Sequence, residues 1–169
     1  MIRKAAREDL DRIMEIVEAS KLLMEATGSD QWDSAYPLYS DYESDFEQGR
    51  LFVYEEGESV CGVACFNEQE PEHYSLMAWS KPDGEKVLLT QRLAVDPEVR
   101  GKGIAESFYH YVEQLAGNRG IQFLKTDTYS LNPAAQRVFQ KAGYTYIGEW
   151  STPERKAPFY FYEKNLKQG

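Results

Sequence analysis

One stretch, residues 87–118 (VLLTQRLAVDPEVRGKGIAESFYHYVEQLAGN), leaves the chain few ways to fold. Its first residues alternate, which predicts a strand with Val87, Leu89, Leu93 and Val95 on one face and Thr90 and Arg92 on the other. Asp96-Pro97 stops that strand, since proline brings no ladder donor. After Arg100-Gly101-Lys102-Gly103 the apolar residues change spacing to Ile104, Phe108, Val112 and Leu115, the face of a helix. Gly117-Asn118 is a stop signal for that helix. The stretch therefore reads as strand, glycine turn, helix.

Such a junction has a chemical use. The first turn of a helix leaves N–H groups without internal partners, and the macrodipole places partial positive charge there. Glycines at 101 and 103 allow an anion-cradling turn, and Arg100 and Lys102 add full charges. In a chain of net charge -9, a local cationic turn rich in amides points to a phosphate group. It is not a P-loop, because Ile104 follows Gly103 where that motif needs lysine. It is a poor dinucleotide fingerprint, because Glu106 takes the place of the third glycine and would set a carboxylate beside the pyrophosphate. The plain alternative is a strand–helix junction whose glycines serve packing alone.

The rest of the chain supplies the frame. A first strand is expected at 2–5, then a helix carrying Leu10, Ile13, Met14, Val17 and Met24 that ends near Thr27-Gly28. An irregular aromatic stretch, 29–37, precedes a second helix expected to start at Pro37 and carry Leu38, Tyr42 and Phe46 to Gly49. Residues 51–54 and 60–66 read as a hairpin around Gly57. The acidic, partly apolar stretch 67–86 reads as a strand connection widened by an insertion, with a turn at Pro82-Asp83-Gly84. A strand is expected next, at 123–128. Asn132 and Pro133 then open a helix burying Ala135, Val138, Phe139 and Ala142, and Gly143 ends it. Two last strands, 144–148 and 158–164, are expected to pair antiparallel. With 169 residues, 42% apolar and 14% aromatic, and no repeat or linker, the chain reads as one α/β (α+β) domain, 1–169.

Composition also excludes classes of function. No apolar run reaches membrane-spanning length, and the charged start MIRKAARED lacks a signal core, so a cytoplasmic protein with no membrane partner is expected. Cys61 and Cys65 lie about 13 Å apart along one strand face, too far to bridge, and read as reduced core thiols. Two distant histidines, His73 and His110, give a metal little to bind, so no metal is expected. The acidic balance argues against nucleic acid and weakly favours a cationic partner such as an amine, although plain solubility explains it equally well.

Arg100-x-x-Gly103-x-Ala105, after Leu93-Ala94-Val95-Asp96-Pro97, resembles the acetyl-CoA-binding motif of the GCN5-related N-acetyltransferase (GNAT) superfamily. Asp127-Thr128-Tyr129-x-x-Asn132 through Phe139-x-x-x-Gly143-Tyr144 is similar to the family's second signature, N-x-x-A-x-x-x-Y-x-x-x-G-F, and the order of expected elements matches that fold from end to end. The resemblance implies a mixed, mostly antiparallel sheet of six to seven strands with about four helices, splayed between strands 87–95 and 123–128. It implies acetyl-CoA as cosubstrate, with Leu93, Ala94 and Val95 presenting main chain to pantetheine and the thioester carbonyl. Arg100, Gly101, Lys102, Gly103, Ile104 and Ala105 would surround the pyrophosphate, and Asn132 and Phe139 would also meet the cofactor. It places acceptor contacts in the region of Trp32 and Tyr36, with Gln91 a further candidate on the central strand. Trp32 and Tyr36 could equally cap the core.

The implied reaction is aminolysis of a thioester, in which an amine of a small molecule or a protein N-terminus attacks directly. An alkylammonium of pKa ~10.4 must first lose a proton. Glu25, Asp127 and Glu106 are the candidate bases, and the residues do not choose among them. The family's usual donor tyrosine is Phe139 here, which has no proton to give, so Tyr129 and Tyr144 become candidates, each with a purely structural alternative. Phe139 also motivates a second reading, a non-catalytic acyl-CoA-binding or sensing module on the same fold. A homodimer is admitted by the sequence but not required.

Overall fold

The computed structural model of the protein describes residues 1–99 and 101–168. Its strands are β1 (Ile2–Lys4), β2 (Leu51–Glu56), β3 (Ser59–Asn67), β4 (Val87–Val95), β5 (Phe123–Tyr129), β6 (Thr145–Trp150) and β7 (Phe159–Asn165). Its helices are α1 (Leu10–Ala26), α2 (Tyr39–Glu47), α3 (Ile104–Asn118) and α4 (Pro133–Lys141), with 3-10 helices at Arg7–Asp9, Glu72–Leu76 and Leu166–Gln168. The strands form a seven-stranded mixed sheet in the order β1-β2-β3-β4-β5-β7-β6, in which β4 and β5 run parallel. Fold class, strand number and helix number are as the sequence led us to expect. The contacts group into two compact units, Met1–Phe66 with Arg92–Phe108 and Asn67–Gln91 with Tyr109–Gly169.

In the first unit β1, β2 and β3 pair antiparallel, with Arg3 opposite Val53 and Val53 opposite Val63. Helix α1 turns Leu10, Ile13, Ile16 and Val17 into a core that also takes Trp32, Tyr42, Val63 and Ala94. Helix α2 corrects the expectation. It starts at Tyr39, after an extended Leu38 whose N–H is taken by the Asp41 carboxylate at 2.7 Å. Leu38 therefore stands outside the helix and is exposed, and the buried residues of α2 are Tyr42 and Asp45.

The second unit holds the start of β4, with a parallel ladder from Val87↔Phe123 to Thr90↔Thr126. Strand β7 pairs with both β5 and β6. One apolar cluster joins Tyr74, Val87, Leu89, Phe123 and Phe161. Another is aromatic, with Phe139 against Tyr109 and Tyr162, each at 5.1 Å between ring centroids. The stretch 67–86, expected as a plain insertion, contains the 3-10 helix Glu72–Leu76, which buries Tyr74.

Strand β4 departs from simple alternation. Val87, Leu88, Leu89 and Thr90 are all buried, so both faces are covered there. Arg92 then takes φ 49, a left-handed conformation that a strand residue with a side chain rarely adopts. Beyond that break Ala94 is the buried residue, while Leu93 and Val95 are half-buried. The expected inward face of Leu93 and Val95 is not the buried one beyond Arg92, where a left-handed residue interrupts regular alternation.

Candidate active site

The first unit contains the glycine turn. Strand β4 ends at Val95, and Asp96 fixes the exit: its N–H bonds Cys61 O at 2.8 Å and its Oδ1 accepts the Glu98 N–H at 3.0 Å. Arg12 of α1 holds the other carboxylate oxygen at 2.6 Å and reaches Val60 O at 3.1 Å. Gly101 and Gly103 then adopt φ 78 and 67 and are exposed, as is Lys102 between them. The Gly103 carbonyl accepts both N–H and hydroxyl of Ser107, each at 2.9 Å, so it opens α3. By helix geometry the amides of Ile104, Ala105 and Glu106 have no acceptor within the helix. A Cβ at Gly101 would meet nothing within 4 Å, and one at Gly103 would come 3.2 Å from a Glu106 carboxylate oxygen. Glu106 thus lies over the turn, where it complements the helix dipole. Lys102 pairs with Glu56 at 3.2 Å, both exposed. Arg100 lies outside the described residues.

Packing explains why the turn sits where it does. A Cβ at Gly62 of β3 would lie 3.0 Å from Ile104 Cγ2 and 3.1 Å from Phe108 Cε2. Glycine is what allows the first turn of α3 to come this close to the strand. Ile104 is buried and Ala105 half-buried, so these two offer main chain rather than side chain at the turn.

The acceptor candidates of the first unit diverge. Trp32 is buried in the core around α1. Tyr36 is 37% exposed, and its hydroxyl accepts from Arg92 at 3.1 Å. Glu25 is exposed near the end of α1. Asp45 and Arg92, which sequence reasoning did not single out as a pair, form the most buried charged contact of the unit. Arg92 Nε and a terminal nitrogen bond the two oxygens of Asp45, each at 2.7 Å, and Arg50 adds a third bond at 2.9 Å. Burial works against the Arg92 charge, but the Asp45 bonds outweigh it and hold its pKa above the ordinary value. Burial, with Asp45 nearby, pushes the Cys65 thiol up to about 12, and both cysteines are free and buried. The sequence signal for Asp45 was a carboxylate three residues from Tyr42, on the same side of a helix.

The second unit holds the remaining candidates. Asp127 comes directly after Thr126, the last β5 residue of the parallel ladder with β4. Its Oδ1 accepts the hydroxyl of buried Tyr74 at 2.8 Å. Burial raises the Asp127 pKa above the usual carboxylate value, against the lowering pull of that bond and of His73. The His73 ring stacks on Trp150 at 4.5 Å, and Trp79 donates to Tyr74 O at 2.6 Å. Tyr74 could not be found from sequence, since it lies in the stretch with the weakest pattern. Gln91 accepts from Asn67 at 3.2 Å. Tyr129 is buried, and its hydroxyl oxygen accepts the Ala157 N–H at 2.9 Å. Asn132 caps α4 through the Ala135 N–H at 3.1 Å, as expected from its place before Pro133. Phe139 and Tyr144 lie in the aromatic cluster with Tyr109. Among the described residues no group of His, Cys, Asp and Glu could hold a metal ion, and no helix is long and apolar enough to cross a membrane.

Comparison with known proteins gives the family. The model of the Acetyltransferase (GNAT) family matches residues 10–144. The fold is similar to that of a GNAT-family acetyltransferase from Streptococcus agalactiae 2603, at TM-score 0.84 and 26% identity over 98% of this chain and 94% of that one. A Staphylococcus aureus Mu50 protein assigned as an acetyltransferase is 32% identical over 98% and 99% of the two chains, with TM-score 0.75. The fold is also shared with yncA of Salmonella typhimurium, solved with its cofactor acetyl-CoA, at TM-score 0.72 and 20% identity over 98% and 93% of the chains. Comparison with functionally curated proteins gives no match. Family model, shared fold and a glycine turn opening α3 agree, and the chain belongs to the GNAT acetyltransferase family.

Proposed function

We propose that the protein moves an acetyl group from acetyl-CoA to a primary amine of a small molecule or a protein N-terminus, by direct attack on the thioester. The observation that carries this reading is the exposed turn in which Gly101 and Gly103 hold positive φ ahead of α3. Its amides through Ala105 suit a diphosphate, and Lys102 adds charge. The main chain of Leu93 and Val95 would pair with pantetheine amides as an added strand does. An N–H near Leu93–Ala94 would stabilise the oxyanion. Asn132 and Phe139 are not used in this proposal, since the Asn132 side chain caps a helix and Phe139 is buried among aromatic rings.

For the proton, Glu25, Asp127 and Glu106 stand as the candidate acceptors. Burial raises the Asp127 pKa above the usual carboxylate value, Glu25 stands in solvent and Glu106 lies over the turn. The amine nitrogen bonds the carbonyl carbon, its proton passes to a carboxylate or to water, and the C–S bond breaks. A thiol of pKa ~8.5 leaves readily as thiolate, so loss of the usual tyrosine at Phe139 is tolerable. A cytoplasmic setting, where Cys61 and Cys65 stay reduced, belongs to the same proposal.

Titration calorimetry with acetyl-CoA tests the cofactor half. Binding is expected, and Gly103→Glu is expected to weaken it at least about 10-fold, roughly 1.4 kcal/mol. An unchanged affinity in a folded variant would move the cofactor elsewhere. Thiol release across a panel of amines tests turnover, and binding without release would favour a sensing module instead.

A further inference from the structure

We propose that the Asp45–Arg92 pair is a positioning device that fixes the left-handed break in β4 and thereby sets the main chain of Leu93, Ala94 and Val95. The inference rests on the reading that this main chain meets acetyl-CoA. Arg92 is the one residue other than glycine given a positive φ among the described residues, and it immediately precedes Leu93. A side chain in that conformation persists where its surroundings over-determine it, and three contacts do so here. The guanidinium bonds both oxygens of Asp45 at 2.7 Å, and the Asp45 side chain is 0% exposed. The Arg92 carbonyl accepts the hydroxyl of fully buried Tyr42 at 3.2 Å. A terminal guanidinium nitrogen also lies 3.6 Å from Cys65 Sγ on β3.

Tyr42 and Asp45 are three apart on α2, so one side of that helix grips both the main chain and the side chain of a single residue. An ion pair needed for core filling alone does not require the backbone to leave the strand region. A bidentate guanidinium–carboxylate bond has fixed direction, which a lysine cannot reproduce. The arrangement therefore orients backbone, and the residues directly after Arg92 are those proposed to hold pantetheine and the thioester.

Glycine separates this role from plain structural support, because it accepts φ near 49 without a Cβ penalty and alanine does not. The test compares Asp45→Asn/Arg92→Gly with Asp45→Asn/Arg92→Ala, which lose the same ion pair. Both are melted thermally and titrated with acetyl-CoA by calorimetry. The alanine pair is expected to bind at least about 10-fold more weakly than the wild type, and the glycine pair to recover to within about 3-fold. Equal weakening in two folded variants would overturn the proposal and leave a buried ion pair of ordinary kind.

Should the double variants not fold, Arg92→Lys keeps a cation beside Asp45 but removes the fork. It is expected to lower acetyl-CoA affinity about 5-fold or more, and an unchanged affinity would count against the proposal. Wild-type protein giving no heat with acetyl-CoA is a different result, since it removes the cofactor reading itself and this inference with it.

Discussion

Asp127 ties the stability of the protein to pH. Burial raises its pKa in the folded chain. The stability it contributes is therefore fully present below the ordinary aspartate pKa of about 3.9 and is lost as pH rises through the raised value. A role as proton acceptor would need the other form, the carboxylate. Asp127→Asn is thus expected to be at least as stable as the wild type at pH 7, because the Tyr74 hydroxyl can donate to an amide oxygen as well. With Asp127 as the base, kcat/KM is expected to fall about 100-fold or more in the variant. In that case the acid limb of wild-type kcat/KM against pH lies above the ordinary aspartate range and vanishes in the variant. A full-rate Asp127→Asn enzyme would return the base to Glu25, Glu106 or solvent. Asp127 was legible in the sequence as a candidate, but its partner Tyr74 was not, because no spacing connects a 3-10 helix with a strand 53 residues away.

At the scale of elements, the glycine turn ahead of α3 depends on a glycine in a neighbouring strand. Gly62 leaves room for Ile104 and Phe108, and a Cβ there would also stand 3.4 Å from Ala94 O. Gly62→Ala is expected to destabilise the protein by about 1–3 kcal/mol, the usual cost of overpacking. Because Ile104 opens α3, the same variant is expected to weaken acetyl-CoA binding. Denaturant melts and titration calorimetry read the two effects, and wild-type values in both would mean that α3 yields without consequence. Helix α2 shows how a sequence pattern can mislead at this scale. Leu38, Tyr42 and Phe46 have helical spacing, but Asp41 takes the Leu38 N–H and starts the helix later. The face that counts is then the one bearing Tyr42 and Asp45. A rule that places apolar residues inward cannot find a buried carboxylate whose arginine partners stand outside the helix, one of them, Arg92, 47 residues away.

For the whole molecule, the two compact units are not successive pieces of sequence. The chain leaves the first at Phe66, returns at Arg92 and leaves again after Phe108. Strand β4 and helix α3 each contribute residues to both. We propose on that ground that residues 1–169 unfold as one domain, since neither unit can melt without breaking an element of the other. Near- and far-ultraviolet circular dichroism are expected to report one coincident thermal transition, with calorimetric and van't Hoff enthalpies equal. Two separated transitions would show the units to be independent.

Local regularity carried most of the fold. The β2–β3 hairpin around Gly57, the apolar strand β5, helical spacing in α1 and α3, the Asn132-Pro133 start of α4 and the glycine turn at 101–103 are short-range features, and each was readable from neighbours in sequence. The tertiary structure decided what depends on distant groups meeting. It turned Arg92 left-handed under the hold of Asp45 and Tyr42, covered Asp127 with Tyr74, and gave Tyr129 the Ala157 N–H to hold. Backbone propensity acts within a few residues, whereas burial and ion pairing act between groups that folding alone brings together.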